Sequence, residues 1–532
     1  MPASRPARCP SSRMLGLVLL LASSLALALG ACGGGGGGSS TSTPVITITA
    51  QPTAQTAQAG GATFSVAASV TPAGTLAYQW EKQEAGTTVW TAVATGGTSA
   101  SLALAGLVHA TDDGDSYRVV VSATGAASVT SAECLLTVPT WAQLGLDIDG
   151  ESAGDQSGWT TSLSDDGLVV AIGAPENDAV NPSAGHVRVW AFDTGTATWV
   201  QRGADIDGTG LTAGAGFGFS VALSANGQVL VAGAPGADTP GNSQGLARVY
   251  EWTGTAWVQR GSDLAGDATG DRFGTQVSIS DDGAVVAVGA IYNQDGGSNA
   301  GRVRVYAWDG SNHVQRGVGF AGNAFEEVGW SSSLNSDGTV LAYGAKRSTA
   351  GHAVVYVWDG VTWIQRGGSA IVGEAAGDQS GAAVSLSSDG TMLAIAAPGN
   401  DATGTRSGQV RVYAWNGTAW LQVGADLDGE AAGDADLDEM SVSLSNNGSA
   451  VAIGWPENDG GGTSAGTVRV YDWDGTAWVL RFADLDGEAA DDRSGGAVSI
   501  SGDGRTVACG AIQNDNSGGT NAGHVRVYQT TP

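Results

Sequence analysis

The sequence predicts an all-β chain, in which a small β-sandwich precedes a seven-bladed β-propeller closed by pairing of its first and last strands. Three observations predict it. A Trp-bearing segment recurs at Trp141, Trp199, Trp257, His313 (in place of Trp), Trp363, Trp420 and Trp478, at intervals of 58, 58, 56, 50, 57 and 58 residues. Each interval holds four short apolar runs and no helical stretch, which points to a radial β array. An Asp-Gly or Asn-Gly step follows the first run of every interval, at Asp166-Gly167, Asn226-Gly227, Asp282-Gly283, Asp337-Gly338, Asp389-Gly390, Asn447-Gly448 and Asp503-Gly504. Those dipeptides accept the positive φ of a tight hairpin turn, so the first two strands of each repeat are antiparallel neighbours.

Taken in order, the chain opens with Arg5, Arg8 and Arg13 and an apolar run from Met14 to Leu29, which reads as a secretory leader over residues 1–31. Leu29-Gly30-Ala31-Cys32 closes it and resembles the bacterial lipobox. The resemblance implies that Cys32 is diacylated and becomes the mature N-terminus, and two or more acyl chains anchor firmly where one is marginal. Residues 32–44, with Gly33 to Gly38 and Ser39 to Thr43, supply a flexible tether. The expected address is the bacterial cell envelope, with contact to the membrane through the lipid anchor only. Cys134 and Cys509 fall in different expected domains, so no disulfide framework is indicated.

Residues 45–138 carry short alternating runs at Thr63 to Val70, Leu76 to Trp80, Ser101 to Leu104 and Tyr117 to Ser122. They resemble an immunoglobulin-like sandwich, which implies a buried Trp80 and a tyrosine corner at Tyr117. Val66 and Val119 stand where such a fold would carry its inter-sheet Cys pair, leaving the core to apolar packing. A spacer or adhesive unit is the role implied.

The propeller is expected over residues 139–532. In its first repeat the strands are read at Trp159 to Ser164, Leu168 to Ala174, His186 to Phe192 and Trp199 to Gly203. The array starts with a fourth-strand segment, Trp141 to Gly145, and stops after a third-strand segment, Gly523 to Tyr528. Pairing the two would close the ring and remove an open edge. The runs Gly216 to Ala222 and Arg272 to Val277, with Gly173-Ala174-Pro175 and Gly233-Ala234-Pro235, resemble the FG-GAP repeats of integrin-α-type propellers. That family's calcium loop lies between the two motifs, where this chain has only its two-residue turn, so the site does not carry over.

A different acidic connection recurs after each fourth strand. Asp147, Asp149, Glu151 and Asp155 follow the spacing 1, 3, 5, 9, repeated by Asp426, Asp428, Glu430, Asp434 and by Asp484, Asp486, Glu488, Asp492. Alternating oxygen donors in a short Gly-containing loop suit Ca²⁺, which takes six to eight oxygens. Solvated acidic turns copied by duplication are the plainer alternative. A second acidic set, at Asp178, Asp238, Asp295, Asp401, Asp459 and Asp515, follows the second strands, so both sets are expected on one face. Arg188, Arg248, Arg304, Arg411, Arg469 and Arg526 share a third-strand slot and read as anchors between blades; His186, His352 and His524 share a strand start and are not read as ligands.

With 23 Lys and Arg against 52 Asp and Glu, the net charge of -29 argues against nucleic acid and for cations or basic surfaces, and the partner expected is an extracellular protein or glycan. No nucleophile elbow, zincin or P-loop pattern stands at a fitting position. The leading expectation is therefore a non-enzymatic surface lipoprotein that binds protein or glycan through the acidic face. Its rivals are a polysaccharide-active enzyme, which would need residues unique to one blade, and a purely structural envelope protein. Glu326-Glu327, Lys346-Arg347 and Asp436 to Glu439 are such singular residues, without a recognisable constellation.

Overall fold

The computed structural model describes residues 42–57, 61–238 and 242–531. The leader, Cys32 and all but the last three residues of the tether lie outside the described residues. The described residues are all-β but for one short helix, His109–Asp112.

Thr63 to Val70 does not form the single strand expected. Ala62–Ser65 pairs with Ser101–Leu104, whereas Ala67–Thr71 pairs with Val45–Ala50. The break falls at Val66, which is buried and donates its N–H to the Ala100 carbonyl at 2.9 Å, so the chain changes partner around an inward side chain. A six-stranded sheet built on Ala77–Gln83 and Ser116–Ser122 covers the same core. Trp80 is fully enclosed there with its Nε1 donating to the Ser99 carbonyl at 2.9 Å, and the Phe64 and Tyr117 rings stack at 4.9 Å. Val66 and Val119 pack as apolar core, and Cys134 and Cys509 are buried and free.

Seven five-stranded sheets follow among the described residues. In the first, Thr160–Leu163, Val169–Ala174, His186–Asp193 and Thr198–Gln201 run antiparallel in that order. The turn after the first strand is held by Ser164, whose Oγ donates to Asp166 and accepts the Val169 N–H at 2.9 Å. Gly167 sits there at φ 69, which only glycine takes without strain. The fifth strand is absent from the sequence reading. After the fourth strand the chain bends back, and Ile206–Asp207 pairs with His186 and Val187. What drives it is the apolar residue after the first acid: Ile148, Ile206, Leu264, Leu427 and Leu485 are all buried, which pins the start of these acidic connections to the sheet.

The seventh sheet takes its outer strands from the start of the array. Trp141–Gln143 pairs with Tyr528 to Thr530, and Ile148–Asp149 pairs with His524 and Val525. A circuit of backbone hydrogen bonds also links the hairpin turns. Asp165 donates to Ala225, Ala225 to Asp281, Asp281 to Ser336, Ser336 to Ser388, Ser388 to Asn446, Asn446 to Gly502 and Gly502 back to Asp165, all between 2.8 and 3.0 Å. On the outside, the indole N–H of Trp199, Trp257, Trp363 and Trp478 donates to the carbonyls of Leu144, Arg202, Arg316 and Val423, each just past the preceding fourth strand. The Trp ladder therefore stitches neighbouring sheets.

Candidate functional site

The two acidic sets lie on one face: Asp155, after a fourth strand, accepts from Asn177, after a second strand, at 2.9 Å. Within one connection, however, the acids do different work. The ninth-position residues Asp155, Asp434 and Asp492 are buried. Asp434 Oδ2 accepts the N–H groups of Glu430 and Ala431 at 2.8 and 2.9 Å and the Asn458 amide at 3.2 Å. Asp492 does the same with Glu488, Ala489 and Asn514. The first acids are held elsewhere, Asp147 by Gln143 and Asp426 by Gln422 at 2.6 Å, and Asp484 by Arg469 at 2.8 Å. Asp428 takes Gln409 at 3.3 Å and Asp149 takes Ser517 at 2.9 Å, while Asp486 gives its backbone carbonyl to Arg526.

No three carboxylates of one connection come within 4.8 Å of one another among the described residues. The acids of the 1, 3, 5, 9 spacing, expected to hold calcium, thus have partners within the protein: the strand holds the first two and amide donors occupy the last. The second set closes its own loops, with Asp178, Asp238, Asp401 and Asp459 accepting the N–H of Ser183, Ser243, Arg406 and Ser464, each at positive φ. Asp492→Ala is expected to cost about 1–3 kcal/mol in urea unfolding, because it leaves two loop amides and Asn514 without an acceptor.

The arginines are the between-blade anchors expected. Arg188 reaches the Asp149 carbonyl and Glu151, Arg411 reaches Val372 and Glu374, and Arg526 reaches Asp486 and Glu488. Each joins a third strand to the connection that precedes its sheet.

A second feature lies on the axis of the array. A cavity of about 550 Å³ is bounded by the first strands of the repeats, with Trp159, Phe219 and Trp330 as half-buried aromatic walls. Its floor is set by a local departure from the repeat. Ten positions separate Asp434 from Leu444, against eight from Asp155 to Leu163 and from Asp492 to Ile500. The two extra residues bring Asp436, Asp438 and Glu439 into the cavity lining.

The singular residues thus do assemble. Asp438 pairs with Lys346, which also donates to the Leu437 carbonyl at 3.2 Å and lies 3.1 Å over the Trp330 ring. Arg347 pairs with Glu327 at 2.9 Å. Arg493 gathers Asp436 at 2.6 Å, Glu439 at 3.2 Å and Glu457. Burial lowers the Lys346 amine to about 8 against the pull of Asp438. Burial raises the Glu439 carboxyl to about 7, with Arg493 opposing and Asp436 and Glu457 adding. Sequence reasoning missed this grouping because it joins the fourth, sixth and seventh sheets; the two-residue insertion was the available signal.

The family model described as FG-GAP repeat matches residues 257–306, from the fourth strand of the second sheet through the third strand of the third. The chain is a propeller repeat protein. No curated protein matches it. Among solved structures, the propeller resembles Kuenenia stuttgartiensis hydrazine synthase, at 13% identity and TM-score 0.43 over 69% of this chain and 94% of that one. It also resembles the Dos1 propeller, at 10% identity and TM-score 0.40 over 73% and 95%. The β-propeller domain of the Trilobed protease from Pyrococcus furiosus is similar at 9% identity and TM-score 0.38 over 70% and 93%.

Proposed function

We propose that the chain is an extracellular binding module whose propeller has seven blades, closed between its first and last repeat strands, and takes a glycan in the axial cavity. The observation that carries this reading is the cavity itself: three half-buried aromatic rings beside three carboxylates in a space of about 550 Å³. Ligand sites of roughly 300–1,000 Å³ combine apolar walls with a few placed polar groups. Sugar rings offer C–H faces to indoles and hydroxyl donors to carboxylates. The immunoglobulin-like sandwich over residues 45–138 serves as spacer, and lipidation at Cys32 holds the module at the bacterial envelope.

A glycan array followed by titration calorimetry tests the reading. Trp330→Ala and Trp159→Ala are each expected to weaken the best array hit by about tenfold, the worth of roughly 1.4 kcal/mol of ring contact. An array empty of glycans, or affinity unmoved by both changes, overturns it; capture of protein ligands instead would move the binding surface to the acidic rim. A polysaccharide-active enzyme is favoured by one specific feature, the neutral-range Glu439 carboxyl beside Asp436 and Asp438. Turnover of array-positive polysaccharides that is lost in Glu439→Gln would establish that alternative.

A further inference from the structure

We propose that two neighbouring blade junctions, one formed by Asp147, Glu488 and His524 and the other by Glu151, Asp205 and His186, bind a divalent cation of the zinc type. In each set the ligand atoms of the three side chains lie within 4.8 Å of one another. The sets are equivalent in the repeat: a His at the start of the third strand, the third acid of the preceding connection and the first acid of its own. They occupy the seventh and first sheets, which adjoin through Leu163 and Ser499.

Both imidazoles are 1% exposed, and His186 Nδ1 and His524 Nε2 have no hydrogen-bond partner. A buried ring nitrogen without a partner carries a desolvation cost, which a metal would offset. The carboxylates are already positioned by one oxygen each. Gln143 and Gln201 hold Asp147 Oδ1 and Asp205 Oδ1 at 2.6 Å, while Arg526 and Arg188 hold Glu488 Oε1 and Glu151 Oε1 at 3.5 and 3.4 Å. The second oxygen is left for the centre, and Glu151 Oε2 stands 4.0 Å from His186 Nδ1. Tetrahedral zinc at its usual bond lengths sets donor atoms about 3.3 Å apart, so side-chain adjustments below about 1 Å complete the site.

The other repeats supply internal comparisons. His352 occupies the same slot, but its sheet has Asn323 and Ala370 where the acids would be, and its Nδ1 meets the Ser348 hydroxyl at 2.9 Å. The sixth sheet keeps both acids, Glu430 and Asp484, but has Thr467 in place of His, and there Arg469 binds both carboxylates itself at 2.5 and 2.8 Å. The unpartnered imidazole therefore occurs where both acids are present. A donor set of one imidazole and two carboxylates suits zinc and its neighbours better than calcium, and three protein ligands leave a fourth position open.

Calorimetric titration of the chelator-treated full chain with ZnCl₂ tests the assignment independently of the axial cavity. Two sites per chain are expected, with Co²⁺ in the same sites giving visible d–d absorption. His186→Ala and His524→Ala should each remove one site, and His352→Ala should remove none. Asp147→Asn and Glu151→Gln serve in their place if either His variant fails to give a cooperative melt in chelator. Absence of Zn²⁺ binding, stoichiometry untouched by these changes, or equal uptake of Ca²⁺ that ignores the histidines overturns the proposal.

Discussion

Gly454→Val is expected to lower the stability of the propeller by about 3–5 kcal/mol, enough to leave much of the chain unfolded at growth temperature. Gly454 lies at the sheet-to-sheet contact, and its second-strand equivalents Gly173, Gly233, Gly289, Gly344 and Gly510 face Gly218, Gly274, Gly329, Gly381 and Gly158 of the next first strand. A Cβ on Gly454 would overlap the Gly495 carbonyl oxygen and stand 2.7 Å from its carbon and 2.8 Å from Ser441 Oγ. The obstruction is backbone, which cannot rotate aside as a side chain would. The chain itself contains the comparison. In the fifth sheet the same slot is Ala396, and the repeat position equivalent to the facing glycine, two before Ser441, is Glu439, in the connection lengthened by two residues. A Cβ is thus carried where the facing strand has been rebuilt. Urea melts of Gly454→Val beside Ala396→Gly check this: the first should shift the midpoint far to lower denaturant and the second by little. A Gly454→Val midpoint within experimental error of the parent would mean the sheets are not spaced by glycine contact.

The same residues show what periodicity conveys and what it omits. Spacing of the Trp segments and the Asp-Gly steps gives strands, turns and the face on which loops emerge, because these depend on local alternation and on φ at single positions. It does not give the partners of a carboxylate. Asp155, Asp271, Asp434 and Asp492 look like oxygen donors for a cation, yet each accepts from an Asn on the loop beside it. A covarying pair was visible in the chain: the second repeat has Ala215 in place of the Asp and Ala237 in place of the Asn, so the two are lost together. The fifth strands were hidden for another reason. Two residues are too few for an alternation signal, and the burial of Ile148 and its counterparts is a tertiary effect.

The grouping of acids around two of the histidines lies beyond the same limit. As a set, His186, His352 and His524 are too far apart for one site, which is how sequence spacing presents them. The acids that approach His524 come from Asp147 and Glu488, at opposite ends of the repeat array, and only the pairing of Trp141–Gln143 with the last strand brings them together.

That pairing leads to the second large effect. Ala142→Cys with Gln529→Cys is expected to form a disulfide spontaneously in air and to stabilise the propeller by about 2–4 kcal/mol. Ala142 and Gln529 are directly opposed across the antiparallel pair, where Cα separations of about 4.5–5.5 Å suit the bridge. The closed loop spans nearly the whole repeat array, so the denatured chain loses more entropy than in a short loop. Outer-strand opening should also be suppressed: without its borrowed strand the seventh sheet would bare the edge of His524–Thr530 to other chains. Cys134 and Cys509 are buried, with thiols pushed up to about 11 and about 12, and should not compete. Non-reducing mobility, free-thiol titration and melts with and without reductant read the outcome. In a chain begun after residue 41, which leaves out Cys9 and Cys32, monomer with two titratable thiols, those of Cys134 and Cys509, and a reductant-sensitive rise in midpoint would fix the two ends of the array beside each other. Four free thiols, or disulfide-linked dimers in place of the internal bridge, would mean the array is held at its ends by something other than this strand pair.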